Sequence, residues 1–282
     1  KYTQLREKIL NSFKDLVFDE GPHKYYLNGK EITCVSNVTH MFKPHFDTES
    51  MAQATYERNY NNEKSKYYKM TPEMIQEEWN KISREACSHG TERHEFAESI
   101  FYFMSNQFDK ILPAFTDRLS VDKETNEPIF IANDPKEEAA VTFYEELPDS
   151  LFPILAETKV YNEKLGYSGT FDLLMYYDAT IDGKDDKNSG LCVMDWKTNK
   201  DLYKNFKEEK LLAPFQDLLD MPLSIYKLQL SLYQICLEKI GLKTIARRIM
   251  WLLPNGTYDK IPLESYTKQL EEELIKHPIV LN

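Results

Sequence analysis

Two runs decide the reading: Gly169-Thr-Phe-Asp172-Leu-Leu-Met-Tyr-Tyr177, and Leu191-Cys-Val-Met-Asp195-Trp-Lys197. Each is short, apolar-rich and bounded by turn residues, which predicts strands. Side chains alternate between faces along a strand. Asp195 and Lys197 therefore share one face, and Met194 and Trp196 take the other. The run from Val193 to Trp196 is otherwise apolar, which predicts a buried strand. A charge there is costly unless it is paired or holds a metal. An isolated Asp-x-Lys is most simply an ion pair. The preceding strand alters that reading. Phe171, Leu173 and Met175 fall on one face, and Asp172 interrupts the apolar run on the other. Antiparallel pairing across the polar loop DATIDGKDDKNSG would bring Asp172 and Asp195 together. Two close carboxylates repel, and a divalent cation relieves the repulsion. Oxygen ligands of this kind suit Mg²⁺ or Mn²⁺. With Lys197 beside such a metal, the arrangement is one that cleaves phosphodiesters.

Working outward, Glu157 lies in ILAETKVYN, the strand before. It reads equally well as a solvated strand-end glutamate. Thr71-Pro72 is a helix start, with a capping hydroxyl followed by proline at the first helical position. The helix it opens runs to about Ser105 and carries His94. His89 lies five residues away and does not share its face. A lone helical histidine is more often a packed or exposed residue than a ligand. Gln229 and Tyr233 stand at i and i+4 on a leucine-rich helix. Such pairs are common on amphipathic helices.

The remaining segments fill in an α/β fold. Residues 1–16 predict a short amphipathic helix bearing Leu5, Ile9, Leu10 and Phe13 on one side. Asn28-Gly29 marks a hairpin turn between strands near 25–27 and 32–35. Residues 50–70 are polar, rich in Tyr, Asn and Lys, and read as a helix or a surface segment. Residues 109–134 show no clear period. Residues 136–146 and 263–276 predict helices. A helix ends at Gly241, and IARRIMWLLP is a further strand before the turn at Asn255-Gly256. We expect a central mixed sheet flanked by helices. The expected division is an N-terminal helical and hairpin extension, 1–70, and a core with insertions, 71–282.

Composition restricts the function. The formal charge of -11 counts against general coating of nucleic acid, whose binders are usually basic. It leaves room for a local basic channel. Lys200, Lys204, Lys207 and Lys210 follow the second strand, and Lys64, Lys66 and Lys69 mix with Tyr60, Tyr67 and Tyr68. Lysines among aromatics suit phosphates and bases, though at least half of them read as an ordinary solvated face. Cys34, Cys87, Cys192 and Cys236 form no CxxC pair, so they read as reduced thiols, two or three of them buried. No run approaches the ~20 apolar residues of a membrane span. KYTQLREKIL carries charges throughout, unlike a signal peptide. The expected location is cytoplasmic, in a bacterial or phage-infected cell. No GxxxxGK[ST], HExxH or GxSxG motif occurs.

Together, Gly90-Thr-Glu-Arg-His94, Gly169-Thr-Phe-Asp172, Asp195-Trp-Lys197 and Gln229–Tyr233 resemble the RecB-like, phage-type exonuclease branch of the PD-(D/E)XK nucleases. All four motifs occur in the family order, over roughly residues 85–255. The resemblance implies a restriction-endonuclease-like core. It implies a metal held by His94, Asp172, Asp195 and the carbonyl of Trp196. It makes Lys197 the catalytic lysine, Gln229 and Tyr233 orienting or DNA-contacting residues, and Glu157 a supporting acid. The implied activity is Mg²⁺- or Mn²⁺-dependent hydrolysis of DNA, as an exonuclease on single strands or duplex ends, in replication, recombination or repair. Any helicase or recombination partner would be a separate chain. Some relatives carry an iron–sulfur cluster on cysteines after the Gln-x-x-x-Tyr helix. Only Cys236 follows here, so no cluster is expected. The alternatives are a catalytically silent DNA-binding or assembly module and a metal-dependent RNase.

Overall fold

The computed structural model describes residues 2–123, 128–206 and 208–279. Along the chain lie α1 (Tyr2–Ser12), β1 (Leu16–Asp19), β2 (Lys24–Leu27), β3 (Lys30–Cys34), α2 (Val35–His40), α3 (Thr48–Asn59), α4 (Pro72–Met104), β4 (Leu119–Val121), β5 (Pro128–Phe130) and α5 (Pro135–Glu145). Then follow β6 (Leu151–Asn162), β7 (Tyr167–Tyr177), β8 (Gly190–Lys197), α6 (Pro222–Lys239), β9 (Thr244–Leu252), β10 (Tyr258–Pro262) and α7 (Thr267–Lys276). The class is α/β, with a mixed sheet and helices around it. Four short strands escaped the sequence reading: β4 and β5, which pair only with each other, and β1 and β10, edge strands of the main sheet with few buried residues. β10 is the return arm of the hairpin that turns at Asn255-Gly256.

β7 organises the sheet. β6 runs antiparallel to it along nearly its whole length. Its other edge is divided. β3 pairs with it in parallel at Tyr167 and Ser168, and β8 pairs antiparallel from Leu173 to Tyr177. Residues Gly169 to Asp172 lie between these two pairings, so the edge of β7 is open there. β8 continues in parallel to β9. The β2–β3 hairpin turns at Asn28 and Gly29, both at positive φ, as an Asn-Gly hairpin requires.

The chain forms two compact units, residues 1–43 with 94–282, and residues 44–93. The division is not the expected one at residue 70. The hairpin joins the main sheet through β3, so residues 1–43 belong with the core. In the smaller unit, Asp47 caps α3 by accepting from the Ser50 N–H at 3.0 Å. The Tyr/Lys segment packs on itself there. Lys69 Nζ sits 4.6 Å from the Tyr60 ring centroid, and Lys66 Nζ sits 4.8 Å from that of Tyr67.

Two apolar layers sandwich the sheet of the larger unit. Val193, Leu174 and Phe171 pack with α6 residues such as Leu228, Leu232 and Tyr233. Met194, Trp196, Leu173 and Met175 pack with Phe96, Phe101 and Phe143 of α4 and α5. β8 alternates as expected: Val193 faces α6, and Met194 and Trp196 face the other layer. β7 does not. Phe171 joins the α6 side, against Tyr233, instead of sharing a layer with Leu173 and Met175. The irregularity coincides with Glu157, opposite Asp172 by register, whose φ is 41°. A left-handed residue in a strand breaks the two-residue period.

Gly169 lets α6 approach β7. A Cβ there would lie 2.9 Å from Tyr233 Cε1 and 3.0 Å from Val35 Cγ2. We expect Gly169→Ala to destabilise the chain by ~1–3 kcal/mol, measured as a lower urea midpoint at unchanged slope.

Candidate metal centre

The site forms at the open edge of β7. Asp172 lies one residue past the last β7–β8 pair, Leu173 with Met194, on the Asp195 side, and between the β6 pairs Ala156–Leu173 and Thr158–Phe171 that flank Glu157. The Asp172 side chain takes the place of a strand neighbour: its Oδ2 accepts from the Trp196 backbone N–H at 2.8 Å. The same oxygen lies 3.1 Å from His94 Nδ1, delivered by α4. Hence one carboxylate ties β8, α4 and β7 together.

Single ligand atoms of His94, Glu157 and Asp172 lie within 4.8 Å of one another. Glu157 thus stands among the potential ligands, more directly than the supporting role expected from the sequence. Asp195 is deeper, at 1% exposure, and falls outside that triplet. Its Oδ2 contacts Lys197 Nζ, and its Oδ1 is buried without a hydrogen-bond partner. Asp195 and Lys197 share a face, as alternation requires. Trp196 is anchored on the opposite face, edge-on to Phe143 with ring centroids 5.0 Å apart. The His94 side chain keeps 27% of its surface exposed. The centre is therefore open on the α4 side.

The charges are arranged unevenly. Burial raises Asp195, and the neighbouring Asp172 carboxylate raises it further. Lys197 only partly offsets this, and Asp195 is pushed up to about 7. Burial raises Glu157 well above the usual carboxylate range, helped by Asp172 and Glu98. Burial also works against ionised Asp172. His94 and Lys197 outweigh it and hold this carboxyl below its ordinary value. Desolvation works against the partly buried Lys197 ammonium too, yet Asp195 and Asp172 keep it above the usual lysine range. Burial opposes charge on His94 as well, but Asp172 overcomes it and raises the imidazole. Crowded carboxylates with an orphaned oxygen are the setting a divalent cation would relieve. The residues present therefore fit one.

Gln229 Nε2 donates to Tyr233 Oη at 3.3 Å. Tyr233 is buried, and its ring closes the α6 side of the opening in β7. Two further groups escaped the sequence reading. Glu98 follows His94 by one helical turn and accepts from Tyr102 Oη at 2.8 Å, beside the cluster. Tyr226 places its ring 4.5 Å from Lys197 Nζ and donates to Asn199 at 2.9 Å. Spacing could have exposed both: Glu98 is at i+4 from His94, and Tyr226 is at i-3 from Gln229. His89 is exposed, 3.6 Å from Glu92. Lys200, Lys204 and Lys210 are exposed. Lys207 lies outside the described residues. Cys192 and Cys236 are buried, and Cys34 and Cys87 are not. No described helix is long and apolar enough to cross a membrane.

Asp195 gives a pH signature. Held at about 7, it keeps a proton in the folded chain where the unfolded chain, with an ordinary value near ~4, has lost it. Its contribution to stability is full below the unfolded value and is lost as pH rises through about 7. Asp195→Asn has no such loss. In EDTA, the melting temperature of the variant relative to wild type should rise by roughly 2–4 °C or more between about pH 5 and pH 8. A difference independent of pH would mean that Asp195 is ionised throughout.

No protein-family model matches the chain, and no curated protein matches it.

Proposed function

We propose that this chain is a metal-dependent nuclease with a restriction-endonuclease-like core, hydrolysing DNA phosphodiesters at the open edge of β7. One observation carries the reading: His94, Glu157 and Asp172 present ligand atoms within 4.8 Å of one another, beside buried Asp195 and partly buried Lys197. His94, Glu157 and Asp172 would hold Mg²⁺ or Mn²⁺, with Asp195 and the Trp196 carbonyl contributing. When bound, such an ion polarises the phosphoryl oxygen and activates water.

The chain's own residues supply the rest. Lys197 carries its proton, held by Asp195 and Asp172. It is therefore suited to stabilising negative charge as the phosphoryl group is attacked. Tyr226 backs Lys197 with its ring. Asp172, through the Trp196 N–H and His94, keeps both strands and α4 in register with the reacting centre. Tyr233, bonded by Gln229, packs on Gly169 and Phe171 of β7 and closes the α6 side. Water attacks phosphorus, one P–O ester bond breaks, and the leaving oxygen takes a proton. The four motifs in family order favour exonuclease action on single strands or duplex ends.

End-labelled single- and double-stranded DNA, with Mg²⁺, Mn²⁺ or EDTA, tests this. We expect metal-dependent cleavage that Lys197→Ala lowers by ~100-fold or more. Absence of cleavage of any substrate with any metal, with DNA binding intact, would overturn it. Glu157→Gln separates metal binding from chemistry. The Mn²⁺ concentration for half-maximal activity should rise ~10-fold or more, with a smaller change at saturating metal. An unchanged metal requirement would remove Glu157 from the ligand set.

A further inference from the structure

A cleft of about 260 Å³ opens beside Glu157, between α1 and β6. Its lining includes Arg6, Lys14, Lys110 and Lys159, with Gln107 and Tyr102. Glu157 is its sole carboxylate, in a chain whose net charge is -11. Among the described residues, none of the four cations pairs with a carboxylate. Arg6 is fixed by its Nε, which donates to the Ile154 carbonyl at 2.8 Å. Lys110 Nζ lies 5.6 Å from the Tyr102 ring centroid. Lys14 and Lys159 are exposed at the rim.

Four cations line one cleft of a chain whose net charge is -11. Like charges held together without counter-charges destabilise a fold unless an anion joins them. The cleft reaches Glu157, a member of the ligand cluster, so an anion lying in it adjoins the reacting centre. Its volume admits a sugar-phosphate backbone. It is far too small for a duplex, whose major groove alone is ~12 Å wide.

We propose that this cleft is the track for the phosphodiester backbone of a single nucleic-acid strand, with Arg6, Lys14, Lys110 and Lys159 contacting phosphates next to the scissile one. This rests on the hydrolytic reading above and assigns its substrate path. It also gives α1 a part in substrate binding.

The test is fluorescence anisotropy with a labelled single-stranded dodecamer, DNA in one arm and RNA in the other, in EDTA and over a range of salt. Three exposed lysines are changed together: Lys14→Ala, Lys110→Ala and Lys159→Ala. Each lysine that neutralises a phosphate of a single strand adds ~0.7 to the steepness of log affinity against log salt. The triple variant should therefore bind at least 10-fold more weakly at low salt, with a slope shallower by about 2. A control triple on α7 and β10, Lys260→Ala, Lys268→Ala and Lys276→Ala, should bind like wild type. The DNA and RNA arms should weaken equally, since the backbone is what the cations hold. Weakening confined to one arm would overturn the backbone assignment. An unchanged slope in the first triple, in a wild type that digests DNA, overturns the track and leaves the hydrolytic reading standing. A wild type that neither binds nor digests either strand overturns both.

Discussion

The structure turns on how one carboxylate is satisfied. Asp172 sits where the ladder between β7 and β8 stops, and its Oδ2 takes the Trp196 N–H that a strand neighbour would otherwise bond. The same oxygen holds His94. Remove that carboxylate, and a backbone N–H loses its acceptor while His94 of α4 loses its polar contact with the sheet. The desolvation cost of an unmade bond of this kind is ~1–3 kcal/mol. Asp172 is ionised because His94 and Lys197 surround it. With Asp172 ionised, the acids on either side of it become hard to ionise. Asp195 and Glu157 are both raised, with Asp172 second only to burial as the cause. An ordered set of acids results, with the central one favoured as the carboxylate and its two neighbours pushed upward.

Strain accompanies this arrangement. Glu157 adopts a φ of 41° within β6, in the region L-residues avoid. Such a conformation costs on the order of 1–3 kcal/mol unless the surroundings dictate it. It places a carboxylate opposite Asp172 that regular pleating would have turned elsewhere. Phe171 is displaced to the α6 layer at the same point, where it meets Tyr233. Gly169, two residues earlier, makes room for the Tyr233 ring. The Gly-x-x-Asp spacing therefore has a packing reason. The glycine admits α6, and the aspartate fills the opening that follows.

Much of this was legible in the sequence. Asn28-Gly29, Thr71-Pro72 and the apolar runs of β6, β7 and β8 are strong local signals, and each becomes the expected element. The convergence of Asp172 and Asp195 followed from alternation and an antiparallel pairing. The remainder depended on neighbours remote in sequence. The parallel pairing of β3 with β7 joins Cys34 to Ser168, across nearly half the chain. Such a pairing leaves no local pattern, so the hairpin read as an extension and not as part of the sheet. The positive φ of Glu157 leaves none either, and so its closeness to His94 and Asp172 could not be read. Glu98 and Tyr226 had usable helical spacings, but an i+4 glutamate or an i-3 tyrosine is too common to single out without the fold.

Net charge is the last constraint. A chain at -11 repels polyanions at long range, yet the proposed hydrolysis of DNA would require one to reach a centre that is itself acidic. Screening helps, because the field of distant exposed charges fades over a Debye length of ~8 Å at physiological ionic strength. What a strand experiences near the centre is set by the groups within that range. On the Glu157 side, the cleft that reaches it is lined by Arg6, Lys14, Lys110 and Lys159. On the Lys197 side, a second cleft of about 340 Å³ carries Lys204 beside Tyr226 and Phe206, with Lys43 paired to Asp220 at 3.5 Å. Cations thus flank the acidic centre on both sides. An overall acidic protein can present a locally attractive path in this way, with its acidic surface elsewhere discouraging unproductive binding.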